Sequence, residues 1–342
     1  MHVRKHRSSM FVFHPNTTST MIRTTLYALG ALSALSGAAL LATRRTGARA
    51  QRAHAPVGSA AVANIDRWRS PQRVHIDAAR GFNHSSALLA FSALADSAVE
   101  HYRGSFENPA MVTPLVSATC ALFAGLHGGR DRTEASHSIR HAIYLAAAAA
   151  GVAGSGFHLY NVTKRPGGFS WHNLFYGAPL GAPMSLLLSG ALGAVGEQLR
   201  NEPAFDPRLF GMPAGKALAL AAGIGLVGTI GEVGLLHFRG AFQHRAMYAP
   251  VTIGPLAAVL LAHSALAAPR PRWFTRIWLR TTAALGFVGT LFHARGVARM
   301  QGGWRNWSQN VLGGPPLPAP PSFTALAMAG LAALRLRETE RE

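Results

Sequence analysis

Long apolar stretches alternate along this chain with short polar turns. Eight such stretches follow one another from about residue 84, and turns containing Gly, Pro and Arg separate them. They lie near residues 84–102, 109–127, 138–160, 174–198, 215–237, 249–267, 279–296 and 321–335. A helix that crosses a bilayer needs roughly 20 mostly apolar residues. The pattern therefore predicts eight membrane-crossing helices, and the last run is short enough to be tilted, partly buried or interfacial.

The composition places the chain in the class of integral membrane proteins. It has 342 residues, of which 49% are hydrophobic and 14% are charged, whereas about 25% of the residues of a soluble domain are charged. The net charge of +19 comes mostly from Arg residues that flank apolar runs. No recognition helix or aromatic-basic platform accompanies this charge, which argues against nucleic acid as a partner. The lipid bilayer is the expected partner, and basic loops attract anionic headgroups.

The rest of the chain divides around the apolar runs. Residues 1–23 are polar, and residues 24–43 form an apolar segment that reads as a signal peptide or a membrane anchor. Arg44 and Arg45 follow this long segment directly, which favours an uncleaved anchor. Residues 44–82 have no strong apolar periodicity and are predicted to form a basic loop, in which a surface helix is the alternative. The remaining segments are a first four-helix unit at 83–199, a connection at 200–214, a second four-helix unit at 215–336 and a tail at 337–342.

The two four-helix units contain the same sequence motif. The sequence DSAVEHYRGSFENPAMVTPL begins at Asp96, and EVGLLHFRGAFQHRAMYAPV begins at Glu232. Seven of their twenty aligned positions are identical, where chance would give roughly one or two. The identical pairs are His101/His237, Arg103/Arg239, Gly104/Gly240, Phe106/Phe242, Ala110/Ala246, Met111/Met247 and Pro114/Pro250. Further along, His127 aligns with His263, and Phe157-His158 aligns with Phe292-His293.

These patterns predict an all-α polytopic membrane protein of about nine helices, one anchor plus two four-helix repeats. An even number of spans returns the chain to its starting side, so the repeats should be parallel and related by a pseudo-twofold axis along the membrane normal. With all eight spans crossing, 21 Lys and Arg fall on the side of the 44–82 loop and 8 on the other. The positive-inside rule then predicts a bacterial inner-membrane protein with its basic loops and C-terminus in the cytoplasm.

Six histidines form three repeat-related pairs at the ends of the predicted spans. His101, His158, His237 and His293 end spans that lead to the outer face, and His127 and His263 end spans near the cytoplasmic face. Ionisable residues at such depths are costly and often functional. The pattern predicts that His101 with His158, and His237 with His293, each bind a haem, and that His127 with His263 hold a third across the pseudo-twofold axis. Structural histidines at the headgroup level are the alternative.

A redox protein of this kind would pass electrons to or from a quinone or a periplasmic redox protein. Arg103 and Arg239 follow the outer histidines by two residues and could pair with haem propionates or another anion. Copper is the alternative cofactor, because thioethers suit Cu(I) and Met111 and Met247 lie just beyond the same histidines. Cys120 is the single cysteine, which excludes an internal disulfide and a multi-cysteine metal site.

Two other classes of function stay open at this point. Asp96 and Glu232 occupy matching positions near the ends of their spans, and as proton or ion sites at the repeat interface they would indicate a transporter or small-molecule carrier. A non-catalytic membrane subunit or assembly factor with structural histidines is the other alternative. No local catalytic motif decides whether the chain is an enzyme.

Overall fold

The computed structural model describes residues 71–177, 179–201 and 207–340, and it is an assembly of α-helices. The eight long helices are α1 Pro71–Arg103, α2 Thr113–Arg130, α3 Ser138–Thr163, α5 Gly181–Asn201, α6 Ala214–Arg239, α7 Ala249–Leu266, α8 Trp273–Arg299 and α10 Pro321–Arg337. Shorter elements are α4 Trp171–Tyr176, α9 Trp307–Gly313, three 3-10 turns at Pro109–Val112, Arg245–Tyr248 and Gly303–Asn306, and a hairpin of β1 Arg208–Leu209 with β2 Met212–Pro213. The all-α prediction is confirmed.

Helix α1 begins earlier than the sequence predicts. It starts at Pro71, so the prediction of a loop through residue 82 is wrong for its last part. Ala78, Ala79 and Phe82 are buried, and the Cα of Gly81 lies so close to α10 that an added Cβ would be 2.8 Å from Cβ of Ala332. Packing against α10 stabilises this turn of helix, although its sequence has little apolar periodicity. The predicted anchor at 24–43 lies outside the described residues.

The fourth apolar run is interrupted. The sequence predicts one continuous span at 174–198, whereas α4 ends at Tyr176 and α5 begins at Gly181. Gly177 and Pro179 lie in this break, and both residue types disfavour the interior of a helix. The interruption carries the Pro179 carbonyl, which takes part in the site described below.

Four of the described helical segments are long and apolar enough to cross a membrane, which fits a membrane protein. They are Pro109–Arg130, Ser138–Thr163, Ala214–Arg239 and Arg245–Leu266. The last helix, α10, is different, because 13 of its 17 residues are buried within the protein. A helix that is covered by other helices needs no apolar outer surface.

The centre of the molecule is formed by α1, α5, α6 and α10. Helix α1 packs against α2, α5 and α10, and α6 packs against α7 and α10. Helices α3 and α8 pack on the outer sides of α5 and α10, respectively. Both outer contacts depend on a glycine, because a Cβ on Gly151 would lie 2.4 Å from the backbone N of Leu187, and one on Gly286 would lie 3.0 Å from the backbone N of Thr324. Small residues let these helices approach closely.

Candidate functional site

Four of the predicted histidines, which lie toward the ends of α1, α3, α6 and α8, share one hydrogen-bonding arrangement. We call them the outer histidines after their predicted orientation. In each, the ring Nδ1 meets a backbone carbonyl: His101 meets Met111 at 2.6 Å, His237 meets Met247 at 2.8 Å, His158 meets Pro179 at 2.5 Å and His293 meets Pro316 at 2.6 Å. A carbonyl can only accept a hydrogen bond, so Nδ1 carries the proton and donates it. The lone pair of each neutral ring then lies on Nε2, which is the arrangement found in histidines that bind metals.

A tight turn brings the Met111 carbonyl back over His101. The backbone N–H of Phe106 donates to the His101 carbonyl at 3.0 Å, and Ser105 and Phe106 both have a positive φ. The second motif repeats this turn, since the N–H of Phe242 donates to the His237 carbonyl at 3.0 Å. The two sequence motifs therefore adopt matching local geometry around their histidines.

The residues that cap the following 3-10 turn are of different types in the two units. Asn108 accepts a hydrogen bond from the N–H of Ala110 through Oδ1 at 2.9 Å, and His244 accepts one from the N–H of Ala246 through Nδ1 at 3.1 Å. Each contact caps the 3-10 turn that carries the methionine carbonyl. The turn is therefore the same in both units, although Asn108 of the first corresponds to His244 of the second.

The predicted histidine pairs lie within electrostatic range of each other. His158 lies close enough to His101, and His237 close enough to His293, that a positive charge on one ring would disfavour a charge on the other. All four rings are partly exposed. Within the part of the chain that the structure describes, no group of three or more His, Cys, Asp or Glu side chains is placed to hold a metal ion.

The predicted methionines contribute their backbone carbonyls to this end of the protein. If Gly104 carried a Cβ, that atom would lie 3.2 Å from the methyl group of Met111. A Cβ on Gly240 would lie 3.2 Å from the methyl group of Met247. These thioether side chains thus pack over the glycines of the turn, while the carbonyl of each methionine contacts the imidazole.

The two predicted arginines have different surroundings. Arg103 forms an ion pair with Glu100 at 2.8 Å. Arg239 instead lies over the ring of Tyr176, 5.1 Å from its centroid, and close to Phe175. Both arginines are exposed at the histidine end of the bundle, the end where α1 and α6 finish.

The predicted carboxylates lie at the contact between the two four-helix units. Glu232 on α6 accepts a hydrogen bond from the backbone N–H of Gly181, the first residue of α5, at 3.1 Å. The negative charges of Asp96 and Glu232 interact. The two carboxylates, which the transporter hypothesis names as proton or ion sites, are thus within range of electrostatic interaction.

A second polar site, which the sequence analysis missed, lies at the opposite end of the first unit. Arg140 is fully buried and donates to both carboxylate oxygens of Glu197, at 3.0 and 2.8 Å, and to Asp131 at 2.7 Å. Asn83 donates to Glu197 at 3.4 Å and accepts from the hydroxyl of Tyr144. We call Asn83, Asp131, Arg140, Tyr144 and Glu197 the arginine network.

His127 belongs to the same end of the protein. Its Nδ1 lies 2.9 Å from Nη1 of Arg140, and because a guanidinium can only donate, Nδ1 accepts and the neutral ring carries its proton on Nε2. This is the opposite tautomer from that of the outer histidines, and it does not present Nε2 as a ligand. His263 is exposed on α7, so the two inner histidines have different surroundings.

The arginine network is present in the first unit only. With the alignment continued along each helix, its five members correspond to uncharged and mostly apolar residues of the second unit, namely Ala219, Ala267, Thr275, Leu279 and Leu334. Arg200 of the first unit corresponds to Arg337 of the second. Arg200 donates to the carbonyls of Gly128 and Asp131 at the end of α2. Arg337 donates to those of Ser264 and Ala267 at the end of α7. The second unit thus keeps the same helix arrangement without a counterpart of the Arg140–Glu197 pair, while its Arg337 pairs with Glu340 at 2.9 Å.

The acid sensitivity of the protein should depend on Asp131. Burial acts to raise the pKa of this carboxyl, but hydrogen bonds from Thr133 and Arg140 and the Arg140 charge outweigh it and hold the pKa below its usual value. A lowered pKa in the folded state stabilises the fold above the unfolded value of about 3.9, and this stabilisation is lost as the pH falls through the folded pKa.

We therefore expect Asp131→Asn to lower the melting temperature at pH 7, and the difference from wild type to shrink as the pH falls below about 4. Thermal unfolding between pH 7 and pH 3 measures this. Glu134→Gln, at an exposed position of the same loop, is the control. A difference between Asp131→Asn and wild type that stays constant over this range would contradict the assignment.

One signal in the sequence could have revealed the network. Arg140 and Glu197 stand inside apolar runs, where an ionisable residue needs a buried partner, but nothing in the sequence pairs them.

Comparison with protein-family models, with curated proteins and with solved structures gave no match for this chain.

Proposed function

We propose that this chain is a redox protein of the bacterial inner membrane that binds cofactors through its outer histidines. His101 with His158 would hold one group, and His237 with His293 would hold a second. The observation that carries the proposal is the shared hydrogen bond from Nδ1–H to a backbone carbonyl, which fixes all four rings with Nε2 available. A quinone or a periplasmic redox protein would exchange electrons with these groups.

The proposed architecture is two parallel four-helix repeats related by a pseudo-twofold axis along the membrane normal, preceded by the anchor at 24–43. Two sets of contacts support it. The fourth helix of each unit contacts the first helix of the other, extensively for α10 on α1 and only locally for α5 on α6. In addition, Gly151 and Gly286 form equivalent contacts in the two units.

The proposed orientation follows from the distribution of charge. With 21 Lys and Arg on the side of the 44–82 loop and 8 on the other side, the arginine network would lie at the cytoplasmic face and the four histidines at the outer face. A periplasmic partner would then reach the histidine end, where Trp171, Trp304 and Trp307 are exposed.

Haem fits the four histidines better than copper does. The porphyrin supplies four nitrogen ligands, so two imidazoles complete the coordination of the iron. A copper site needs further ligands from the protein, and the sulfur-bearing side chains of Met111 and Met247 pack over Gly104 and Gly240 instead. Copper therefore stays the second choice of cofactor.

An absorption spectrum of the purified protein tests the proposal. The protein should be expressed with haem and copper in supply, and spectra recorded in the oxidised and dithionite-reduced states with metal analysis of the same sample. We expect a Soret band and a sharp α-band in the reduced state. His101→Ala and His158→Ala should each remove one of two haems, and His237→Ala and His293→Ala the other.

The control is His263→Ala, at an exposed position, which should leave the spectrum unchanged. Size-exclusion chromatography separates loss of cofactor from loss of fold. Stoichiometric copper without a Soret band would show that the bound cofactor is copper and not haem. Folded wild-type protein that carries neither haem nor metal would overturn the proposal.

Transport is a second candidate function, which the interacting carboxylates favour. Glu232 of the second unit accepts a hydrogen bond from the N–H of Gly181 in the first unit. Asp96 lies within range of electrostatic interaction with Glu232. Two carboxylates in a medium of low polarity favour binding of a proton or a cation. A cofactor-free protein whose cation uptake in proteoliposomes is lost in Asp96→Asn and Glu232→Gln would establish this function, and a partner that co-purifies without either activity would indicate a non-catalytic subunit.

A further inference from the structure

A buried asparagine lies in the loop that follows the third helix of each unit. Asn173 on α4 and Asn310 on α9 are each 4% exposed. The side-chain amide of Asn173 donates to the carbonyls of Pro166 and Gly168, at 3.0 and 2.8 Å. Both hydrogens of this amide are therefore used to hold the double-glycine turn that follows α3.

The second unit makes the same contacts in a longer loop. The amide of Asn310 donates to the carbonyls of Gln301 and Gly303, at 3.1 and 2.8 Å, and these two residues correspond to those contacted in the first unit. The asparagine lies seven residues after the second glycine of the turn here, and five residues after it in the first unit. The contact is thus the same in both units although the length of the connection differs.

In the first unit this asparagine lies on the chain path from His158 to the carbonyl that His158 binds. The turn held by Asn173 follows α3, which carries His158. The chain leaves α4 at Gly177, where an added Cβ would overlap the carbonyl of Asn173 and lie 2.9 Å from the side chain of Val162. Pro179 follows two residues later, and its carbonyl accepts the Nδ1–H of His158. The 21 residues from His158 to Pro179 thus form a loop that the Asn173 amide crosslinks.

The second unit repeats each of these contacts. Pro316 lies 23 residues after His293 and accepts its Nδ1–H. Gly314 precedes Pro316 by two residues, and an added Cβ there would overlap the carbonyl of Asn310 and lie 3.3 Å from the side chain of Val297. Two loops of different length therefore present a proline carbonyl to a histidine in the same way.

We propose that Asn173 and Asn310 are positioning residues for His158 and His293. Each amide ties the double-glycine turn to the following short helix, and this tie fixes the proline carbonyl that sets the tautomer of the histidine. Without the crosslink, the carbonyl would depend on closure of the whole loop, which costs more entropy than closure of a shorter one. The consequence for cofactor binding rests on the proposed function, whereas the hydrogen bond itself is a property of the protein alone.

Exchange of the ring Nδ1 protons with water tests the proposal, because a hydrogen bond must open before its proton exchanges. Full-length protein labelled with ¹⁵N-histidine would be studied by NMR in detergent, with signals assigned by His158→Gln and His293→Gln. Asn173→Leu removes both donors and should speed exchange at His158 by about tenfold or more, while His293 stays unchanged. Asn310→Leu should do the reverse, so each unit is the control for the other.

Asn161→Leu, at an exposed position of α3, is the matched control and should change neither histidine. Gly177→Ala covers an Asn173 variant that fails to fold, because the added methyl group displaces the chain before Pro179 and leaves the amide in place. It should also speed exchange at His158 alone. Unchanged exchange at His158 in either folded variant, or an equal increase at both histidines, would overturn the proposal. Wild-type protein without haem or metal would overturn the proposed function only.

Discussion

Replacing Arg140 by alanine is expected to destabilise the protein by about 3–5 kcal/mol, because it removes the two short hydrogen bonds to the buried Glu197 carboxylate and leaves Arg200, at 3.6 Å, as its nearest cation. The Arg140 side chain is fully buried and that of Glu197 is 1% exposed, and the two form a pair of parallel hydrogen bonds. Thermal unfolding in detergent, followed by the loss of helical circular dichroism, measures the effect.

The control for this prediction is Arg276→Ala. Arg276 pairs with Glu338, and their side chains are 27% and 20% exposed, so removing one partner there should cost about 1 kcal/mol or less. Equal effects of Arg140→Ala and Arg276→Ala would contradict the importance of the buried pair.

The second unit also supplies a rescue. Introducing Asp131→Ala, Arg140→Thr and Glu197→Leu together copies its residues into the first unit. The triple variant removes both carboxylates together with Arg140, and the buried Arg200, which lies 3.6 Å from Glu197, keeps the carbonyls of Gly128 and Thr133 as acceptors. It should therefore be more stable than Arg140→Ala alone. A stable triple variant that has lost activity would indicate that the arginine network serves function, since the fold does not require it.

Replacing Gly151 by alanine is expected to have the second large effect, a destabilisation of about 3 kcal/mol, at the upper end for an overpacked contact. The added Cβ would lie 2.4 Å from the backbone N of Leu187. Backbone cannot move aside as a flexible side chain can, so α3 and α5 would have to separate. The melting temperature of the purified variant measures this.

Gly156 provides a matched control in the same helix. It is exposed, and an added Cβ there would have nothing within 4 Å. Gly156→Ala should therefore leave the melting temperature unchanged or raise it slightly, since alanine favours a helix more than glycine does. A loss of stability in Gly156→Ala as large as in Gly151→Ala would show that the contact with α5 is not the cause.

The sequence by itself determined the all-α class and the positions of most of the long helices, four of which are apolar enough to cross a membrane. Apolar runs of this length have few alternatives in lipid, because every backbone polar group must be satisfied within the helix. The duplicated motif also predicted a duplicated local structure, and His101 and His237 do form the same contact with the carbonyl ten residues later. Both features depend on residues that are close in sequence.

Only the tertiary structure decided what lies between distant segments. The early start of α1 depends on α10, and the buried pair of Arg140 with Glu197 joins residues 57 positions apart. The tautomer of His127 depends on Arg140 in the same way. Sequence periodicity describes one helix at a time, whereas ion pairs and packing depend on which helices meet, and that is settled by the folded arrangement.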